Sequence, residues 1–367
     1  MILALILTIT VLLIIQDTAL WILLKTNFKH FGKSGILEYP RVSILIPSRN
    51  EEKNLPECLA SLSKLNYPLD KLQVILGDDR SIDSTRAILE AYVDQHPETL
   101  LLDIKECDTR KMNGKANALS QMAKKATGEV LLFTDADCIV PENYVTAMVA
   151  AWQRTGAGII TGITHVSGDG FFDKMQAMDW WLTLGMVKVI SDVGFSVTSM
   201  GNNMLISKNA YQSVGGFEGI PFSLTEDFEI AKHILAKGFT SFHLVGKENL
   251  ISTKPQKKIS DLLKQRKRWM AGAMDLPIFW KLLLGLQVLF FPGIVFLLFS
   301  YPLMGVLLWI CKVAIQSLFI TAFASKTAVK INPIDLILFE IYYMFAAWST
   351  IVYYFWPAQT DWKGRRY

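Results

Sequence analysis

Cysteine, histidine and charge are all scarce in this sequence, and each scarcity excludes something. The 367 residues hold four cysteines, Cys58, Cys107, Cys138 and Cys311, without metal-ligand spacing, so no disulfide scaffold is encoded and core thiols are expected. Of the five histidines, His165, His233 and His243 are scattered without a metal pattern. Charged residues make up 19%, against roughly 25% in soluble domains. The 37 Lys+Arg and 33 Asp+Glu leave a formal charge of only +4, too weak a field for a nucleic-acid partner. No internal repeat or low-complexity segment is present. What is abundant is apolar: 51% of residues are hydrophobic and the mean hydropathy is +0.30, which excludes a disordered chain and argues against an ordinary soluble enzyme. The surplus must face something other than water.

Its placement says what. Met1 to Gln16 carries no charged side chain and the apolar run continues to Leu24, long enough for one transmembrane helix. A signal peptide is disfavoured, because no basic stretch precedes the run and no small-residue cleavage site follows it. Near the other end, about three spans fit between Pro277 and Trp356, at Pro277–Leu298, Pro302–Phe323 and Pro333–Trp356. Within or beside them, Lys281 and Asp335 can snorkel, whereas Lys312 and Glu340 should face protein or water. The expected organisation is an N-terminal anchor (1–24), a soluble domain (25–255), an interfacial amphipathic helix (256–276), a transmembrane bundle (277–356) and a tail (357–367). Lys25, Lys29, Lys33 and Arg41 after the first helix, with Lys254, Lys257, Lys258, Lys264, Arg266, Lys267 and Arg268 before the second, place the soluble domain in the cytoplasm. Three C-terminal spans would put the tail outside, yet Lys363, Arg365 and Arg366 favour the inside. Either one C-terminal segment is re-entrant or interfacial, or the short tail is an exception.

Between anchor and bundle, apolar strand-like runs alternate with helical spacing. Val42–Pro47, Leu72–Leu76, Leu100–Ile104 and Val130–Phe133 read as strands. Leu55–Leu65, Thr85–Tyr92 (capped by Asp83 or Ser84) and Ala116–Ala126 read as helices, and Pro141 as the first residue of another. Nearly continuous apolar strands imply a mostly parallel sheet covered on both faces, with ligands beyond the strands' carboxyl ends. Polar clusters fall there. Pro47-Ser48-Arg49-Asn50-Glu51-Glu52 follows strand one and is by itself an ordinary turn. Asp78-Asp79 follows strand two, where a carboxylate can accept from a base or ribose, or merely cap a helix. Thr134-Asp135-Ala136-Asp137 follows strand four; at a turn both carboxylates can approach one hard cation, Mg²⁺ or Mn²⁺. Glu226-Asp227 offers a general base or an acidic helix start. Gln265-Arg266-Lys267-Arg268-Trp269 precedes the bundle, with Gln265, Arg268 and Trp269 on one helical face and Arg266 and Lys267 expected to meet lipid headgroups.

Taken in order, Asp79, Asp135-x-Asp137, Glu226-Asp227 and Gln265-x-x-Arg268-Trp269, flanked by membrane spans, resemble the membrane-bound family-2 glycosyltransferases, which include cellulose, hyaluronan and poly-N-acetylglucosamine synthases and ceramide glucosyltransferases. The resemblance covers about Pro40 to Trp269 and extends to Gly114-Lys115-Ala116-Asn117-Ala118-Leu119, Gly201-Asn202-Asn203 and Gly215-Gly216-Phe217. Ser48-Arg49 departs from it, standing where the family more often has a small residue and Tyr.

The resemblance implies an α/β GT-A (Rossmann-like, mostly parallel sheet) domain between N- and C-terminal transmembrane helices, in a multi-pass protein of the plasma or inner membrane. Its donor is a nucleotide-sugar, a UDP-sugar by family, and its cofactor a divalent metal, Mg or Mn. Pro47, Glu51, Asp78 and Asp79 would contact the uridine and Lys115 would line the donor site. Asp135 and Asp137 would hold the diphosphate and its metal, and Asp227, with Glu226 beside it, would be the catalytic base. Gln265 and Arg268 would close over the diphosphate. Trp269, with Asn202 and Asn203, would meet a lipid or glycan acceptor. One base and a direct displacement give inversion and a β-linkage. Few spans favour single transfer to a lipid over processive polymer synthesis. A transporter would need more of its chain in membrane, and an inactive nucleotide-sugar-binding scaffold would have lost the base or the metal acids.

Overall fold

The computed structural model describes residues 1–31, 36, 38–106, 108, 111–357, 361–362 and 365–366. Lys33, Cys107 and Lys363 lie outside the described residues. Two compact units emerge. One comprises Met1–Lys29, Val166–Val193 and Pro255–Thr360; the other comprises His30–His165, Gly194–Lys254 and Asp361–Tyr367.

In chain order the elements begin with α1 (Ile2–Thr26), β1 (Val42–Ser48), α2 (Leu55–Leu62), β2 (Leu72–Asp78), α3 (Thr85–Gln95), β3 (Leu100–Asp103), α4 (Gly114–Ala123) and β4 (Val130–Thr134). There follow β5 (Cys138–Ile139), α5 (Tyr144–Thr155), β6 (Ile159–Thr161), β7 (Ile163–Val166), α6 (Phe171–Val193), β8 (Asn203–Ser207), α7 (Lys208–Ser213), α8 (Glu226–Ala236), β9 (Ser241–His243) and β10 (Leu250–Thr253). The chain ends with α9 (Ile259–Met274), α10 (Ile278–Ser300), α11 (Pro302–Ala324), α12 (Pro333–Phe355), β11 (Asp361–Trp362) and β12 (Arg365–Arg366). The expected strands and helices up to β4 are present. Pro141 does not open a helix: it sits in the turn before α5, its carbonyl accepting from Tyr144 N–H at 3.0 Å, because Cys138 and Ile139 are drawn into pairing with β10.

The α/β unit is built on a seven-stranded sheet in the order β3-β2-β1-β4-β8-β6-β9. Its first four strands are parallel and β8 runs antiparallel between β4 and β6. Period-two alternation explains why these strands read as unbroken apolar runs. In β1, Val42, Ile44 and Ile46 face one core and Leu45 the other; in β4, Val130 and Leu132 face the first while Leu131 and Phe133 face the second. Each buried side chain of this size contributes about 1.5–3 kcal/mol by leaving water. Cys58 and Cys138 are buried thiols of this unit, whereas Cys311 lies exposed on α11, contrary to the core reading. A parallel sheet has its functional edge at the carboxyl ends of its strands, and the polar clusters stand there.

The apolar unit holds four helices long and apolar enough to cross a membrane, at Ile2–Thr26, Ile278–Ser300, Pro302–Thr327 and Pro333–Phe355. It also holds α6, which lies within the 25–255 span expected to be soluble. Helix α6 packs on α11, where Gly185 lets Phe319 and Phe323 approach and Trp181 meets Phe323 edge-on at 5.8 Å. The run Ala177–Val189, with Lys188 buried on the Lys29 carbonyl (3.0 Å) and Asp192 (2.8 Å), is the signal for this placement. Lys312 and Glu340 face protein, as their cost in lipid demands. Lys312 Nζ donates to Glu340 at 2.7 and 2.6 Å and to Gln316 at 2.7 Å; Asp17 accepts from Gln287 at 3.3 Å. Phe290, Phe291 and Tyr343 ring Lys312 at 5.4 to 5.8 Å.

Candidate active site

The loops after β1 and β2 are braced against each other. Beyond the last strand residue, Asp79 N–H donates to the Ser48 carbonyl at 2.8 Å, and the Arg49 guanidinium donates to the Asp79 carbonyl at 2.7 Å. Asn50 donates to Ser81 Oγ (3.1 Å) and accepts from Ile82 N–H (2.9 Å). Asn50 and Arg80 both adopt left-handed backbone, with φ of 53° and 59°, a conformation that costs non-glycine residues energy and is held here by these bonds. Glu51 is buried: its N–H donates to Thr85 Oγ1 at 2.7 Å and its carboxylate accepts from Asn54 at 2.8 Å. Asp78 and Asp79 are buried at the end of β2, where Asp78 accepts from Ser81 N–H at 3.3 Å. Pro47 is half-buried in β1. Ser48-Arg49, the departure from the family pattern, therefore forms part of the wall around Asp79.

After β4 the chain makes a tight turn, Cys138 N–H donating to the Asp135 carbonyl at 3.1 Å. Burial alternates through it: Asp135 and Asp137 are half-buried, Ala136 and Cys138 fully buried, so both carboxylates lie toward the accessible side. These are hard oxygen donors; the Cys138 thiol beside them is held protonated, its pKa pushed up by burial and by Asp137. Among the described residues no cluster of three or more His, Cys, Asp or Glu could hold a metal. Two carboxylates with positions left for water and phosphate fit Mg²⁺ or Mn²⁺ shared with a substrate.

Lys115 links this turn to α8. Its Nζ lies 2.5 Å from Asp135 Oδ1 and 3.7 Å from Glu226 Oε1. Burial opposes its charge, but Asp135 and Glu226 outweigh that and raise its pKa above the ordinary lysine value. Glu226 is buried and also accepts from Asn113 Nδ2 at 2.8 Å, while Asn113 Oδ1 caps α4 by accepting from Ala116 N–H at 2.9 Å. The sequence reading missed Asn113, although an asparagine ahead of Gly114-Lys115 is a helix-start signal. Asp227 accepts from Gly201 N–H (2.7 Å) and Phe228 N–H (2.9 Å), and a Cβ at Gly201 would collide with its carboxylate. Burial first, and Glu226 second, push its pKa up to about 6 against the pull of Lys115. That value suits a group that must be unprotonated near neutrality and able to take a proton.

Asp135, Lys115, Glu226 and Asp227 are thus brought together, and Asp78, Asp79 and Glu51 stand at neighbouring strand ends. Asn202 is half-buried, accepting from Thr164 Oγ1 at 3.2 Å. Asn203 is not available to an acceptor: it is fully buried, its amide donating to the Ile163 and Asn249 carbonyls at 2.8 and 3.0 Å, and so ties backbone segments together. Gln265, Arg268 and Trp269 lie on α9 in the apolar unit, where the Trp269 ring meets Trp180 edge-on at 5.5 Å. Arg266 is not the headgroup-facing charge expected of it. It is buried, paired with Asp179 and 3.3 Å from Tyr342, because a guanidinium inside a helix packing face needs a carboxylate partner. Lys267 donates to the Trp356 carbonyl at 3.0 Å.

Residues 3–367 match the family model described as Glycosyl transferase family 21. The chain belongs to this family. The family model and the relatives agree with the membrane-bound, family-2-like resemblance of the motif set; the family they name, 21, is a related GT-A family. This family 21 chain is 24% identical over 201 residues to a beta-monoglucosyldiacylglycerol synthase of Synechocystis sp., covering 54% of this chain and 41% of that protein. It is 25% identical over 286 residues to a poly-beta-1,6-N-acetyl-D-glucosamine synthase of Staphylococcus epidermidis, covering 73% and 65%. The matched chain therefore spans about two fifths to two thirds of the length of these relatives. A mannosyltransferase from Pyrobaculum calidifontis, solved in complex with GDP-Man and Mn²⁺, shares the fold with a TM-score of 0.64 at 17% identity, covering 97% of this chain and 99% of that one. The family 21 chain is a glycosyltransferase with a GT-A-like, mostly parallel α/β fold and apolar helices at both ends.

Proposed function

We propose that this glycosyltransferase is an inverting enzyme that moves a sugar from a UDP-sugar to a membrane-associated lipid acceptor, forming a β-linkage. The observation that carries the reading is the convergence of Asp135 and Lys115 on Glu226 and Asp227, with a base poised near neutrality beside the carboxylates of the β4 turn. Pro47, Glu51, Asp78 and Asp79 hold the nucleoside, Lys115 supplies positive charge to the donor, and Gln265 and Arg268 close over the diphosphate. Asp135 and Asp137 hold the divalent ion, which when bound neutralises the departing diphosphate. Asp227 takes the acceptor hydroxyl's proton as that oxygen attacks the anomeric carbon and the bond from that carbon to the diphosphate breaks. Trp269 and, in the α/β unit, Asn202 are the residues that the family resemblance assigns to the acceptor.

A filled bundle interior supports single transfer over threading a polymer: Lys312, Glu340, Phe290, Phe319 and Phe339 occupy it. A relative named for a glucosyldiacylglycerol product supports a lipid acceptor, and one named for a polymer product keeps processive synthesis as the alternative. The retained acids and base speak against an inactive scaffold. The α/β unit is cytoplasmic in this reading, from the basic residues around α1 and α9. Tail residue Arg365 pairs with Asp79 of that unit, and α9 meets Tyr342 of α12 and Trp356 just beyond its end. Both contacts favour an interfacial or re-entrant α12, which leaves an even number of crossings between domain and tail.

Incubating membranes with a panel of radiolabelled UDP-sugars and separating lipid from polymer tests the reading; label only in polymer would overturn the lipid acceptor. Asp135→Ala and Asp137→Ala should each weaken Mn²⁺- or Mg²⁺-dependent UDP binding without unfolding the protein, since neither side chain is part of the apolar core. Unchanged metal dependence in both variants, measured by calorimetry, would remove the metal assignment.

A further inference from the structure

Arg365, two residues from the chain's end, reaches a carboxylate that the donor reading requires. Its Nη1 and Nη2 donate to Asp79 Oδ2 and Oδ1 at 2.6 and 2.8 Å, a fork engaging both oxygens at once. The pair is enclosed, with side-chain exposures of 14% and 6%. The guanidinium is seated over Gly114, where an added Cβ would lie 1.5 Å from Nη1, so the absence of a side chain at that position makes room for it. Arg80, the other cation beside Asp79 at 3.6 Å, is also paired with Glu106 at 2.6 Å.

The structure assigns Arg365 to the donor site, as a strap that holds Asp79 while no donor is bound and leaves it when a nucleoside diphosphate enters. This rests on the reading of Asp79 as a nucleoside contact. With the pair enclosed and one guanidinium on both oxygens, the remaining lone pairs of Asp79 are shielded from a base N–H or ribose hydroxyls, and the guanidinium fills the space over Gly114. The ligand able to displace it must bring N–H or O–H donors for Asp79, as the base and ribose of a nucleoside diphosphate do, while the released guanidinium returns to water. Because binding must first break the pair, the strap lowers the apparent donor affinity.

The test is UDP binding, with Mn²⁺ present, to the full-length protein in nanodiscs, measured by calorimetry. Arg365→Ala and Arg365→Gln should both bind UDP roughly tenfold tighter than wild type, the scale of one charge-assisted contact partly screened by solvent. In wild type, UDP should also speed trypsin cleavage after Arg365, followed by intact mass. Unchanged or weaker UDP binding in both variants, or cleavage indifferent to UDP, overturns the strap. Asp79→Ala separates the two readings: compared with Arg365→Ala, which also lacks the strap, it should bind UDP more weakly, and cleavage should be fast with or without UDP. If its UDP affinity equals that of Arg365→Ala, the nucleoside role of Asp79 fails; if it leaves the tail protected, the Arg365 contact itself fails.

Discussion

Replacing Asp227 with asparagine is expected to lower transfer by roughly 10²–10⁴-fold, the usual contribution of a general base, while UDP affinity stays near wild type. Asparagine keeps an oxygen for the Gly201 N–H and gives up the bond from Phe228 N–H, so the side chain stays in place while proton acceptance is lost. The wild-type rate should climb with pH through about 6, where Asp227 ionises, and the residual rate of the variant should lack that limb. Stability should respond with the opposite sign. A carboxyl whose folded pKa is raised binds its proton more tightly when folded, so the wild type is most stable below the unfolded value of 3.8 and loses stability as pH rises to about 6. At pH 7 the asparagine variant should therefore be more stable by about 1–2 kcal/mol, seen as a higher melting temperature in detergent. Wild-type turnover in Asp227→Asn would remove it from the mechanism and point to Glu226, whose carboxylate is already engaged by Asn113 and Lys115.

The second large effect lies in the apolar unit. Glu340→Ala removes the carboxylate hydrogen-bonded to the buried Lys312 ammonium, leaving it Gln316, aromatic faces and the unbonded attraction of Asp17, and should destabilise the protein by about 3–5 kcal/mol. Replacing both residues by methionine removes the stranded charge together with its partner and should recover most of that loss. Thermal unfolding in one detergent, for Glu340→Ala and the double variant, decides it. A mild single variant, or a double variant as damaged as Glu340→Ala, would mean that the pair is solvated or serves another partner.

The alternation of apolar strands and helices in β1 to β4, the four long apolar helices and the acids at strand ends were legible in the sequence, because periodicity and polarity are local properties of the chain. That Lys312 and Glu340 must face inward was also legible, since the cost of a charge in lipid does not depend on the fold. That they face each other was not, because 28 residues separate them and only packing of α11 on α12 joins them. Helix α6 belongs with the apolar unit, Arg266 is buried on Asp179, and Asn203 ties backbone together instead of meeting an acceptor. Each of these depends on which neighbour a side chain finds, and spacing along one element cannot say so. The same holds for the site. Spacing supplied Asp135, Glu226 and Asp227 as separate candidates, but only the fold set Lys115 between them, gave Asp227 the burial that raises its pKa, and laid Arg365 across 286 residues onto Asp79. The sequence by itself determined the fold class, the family's chemistry and the membrane-length helices; the tertiary structure decided which charges meet, because electrostatic partners are chosen by distance in space and desolvation, and neither is written in the order of residues.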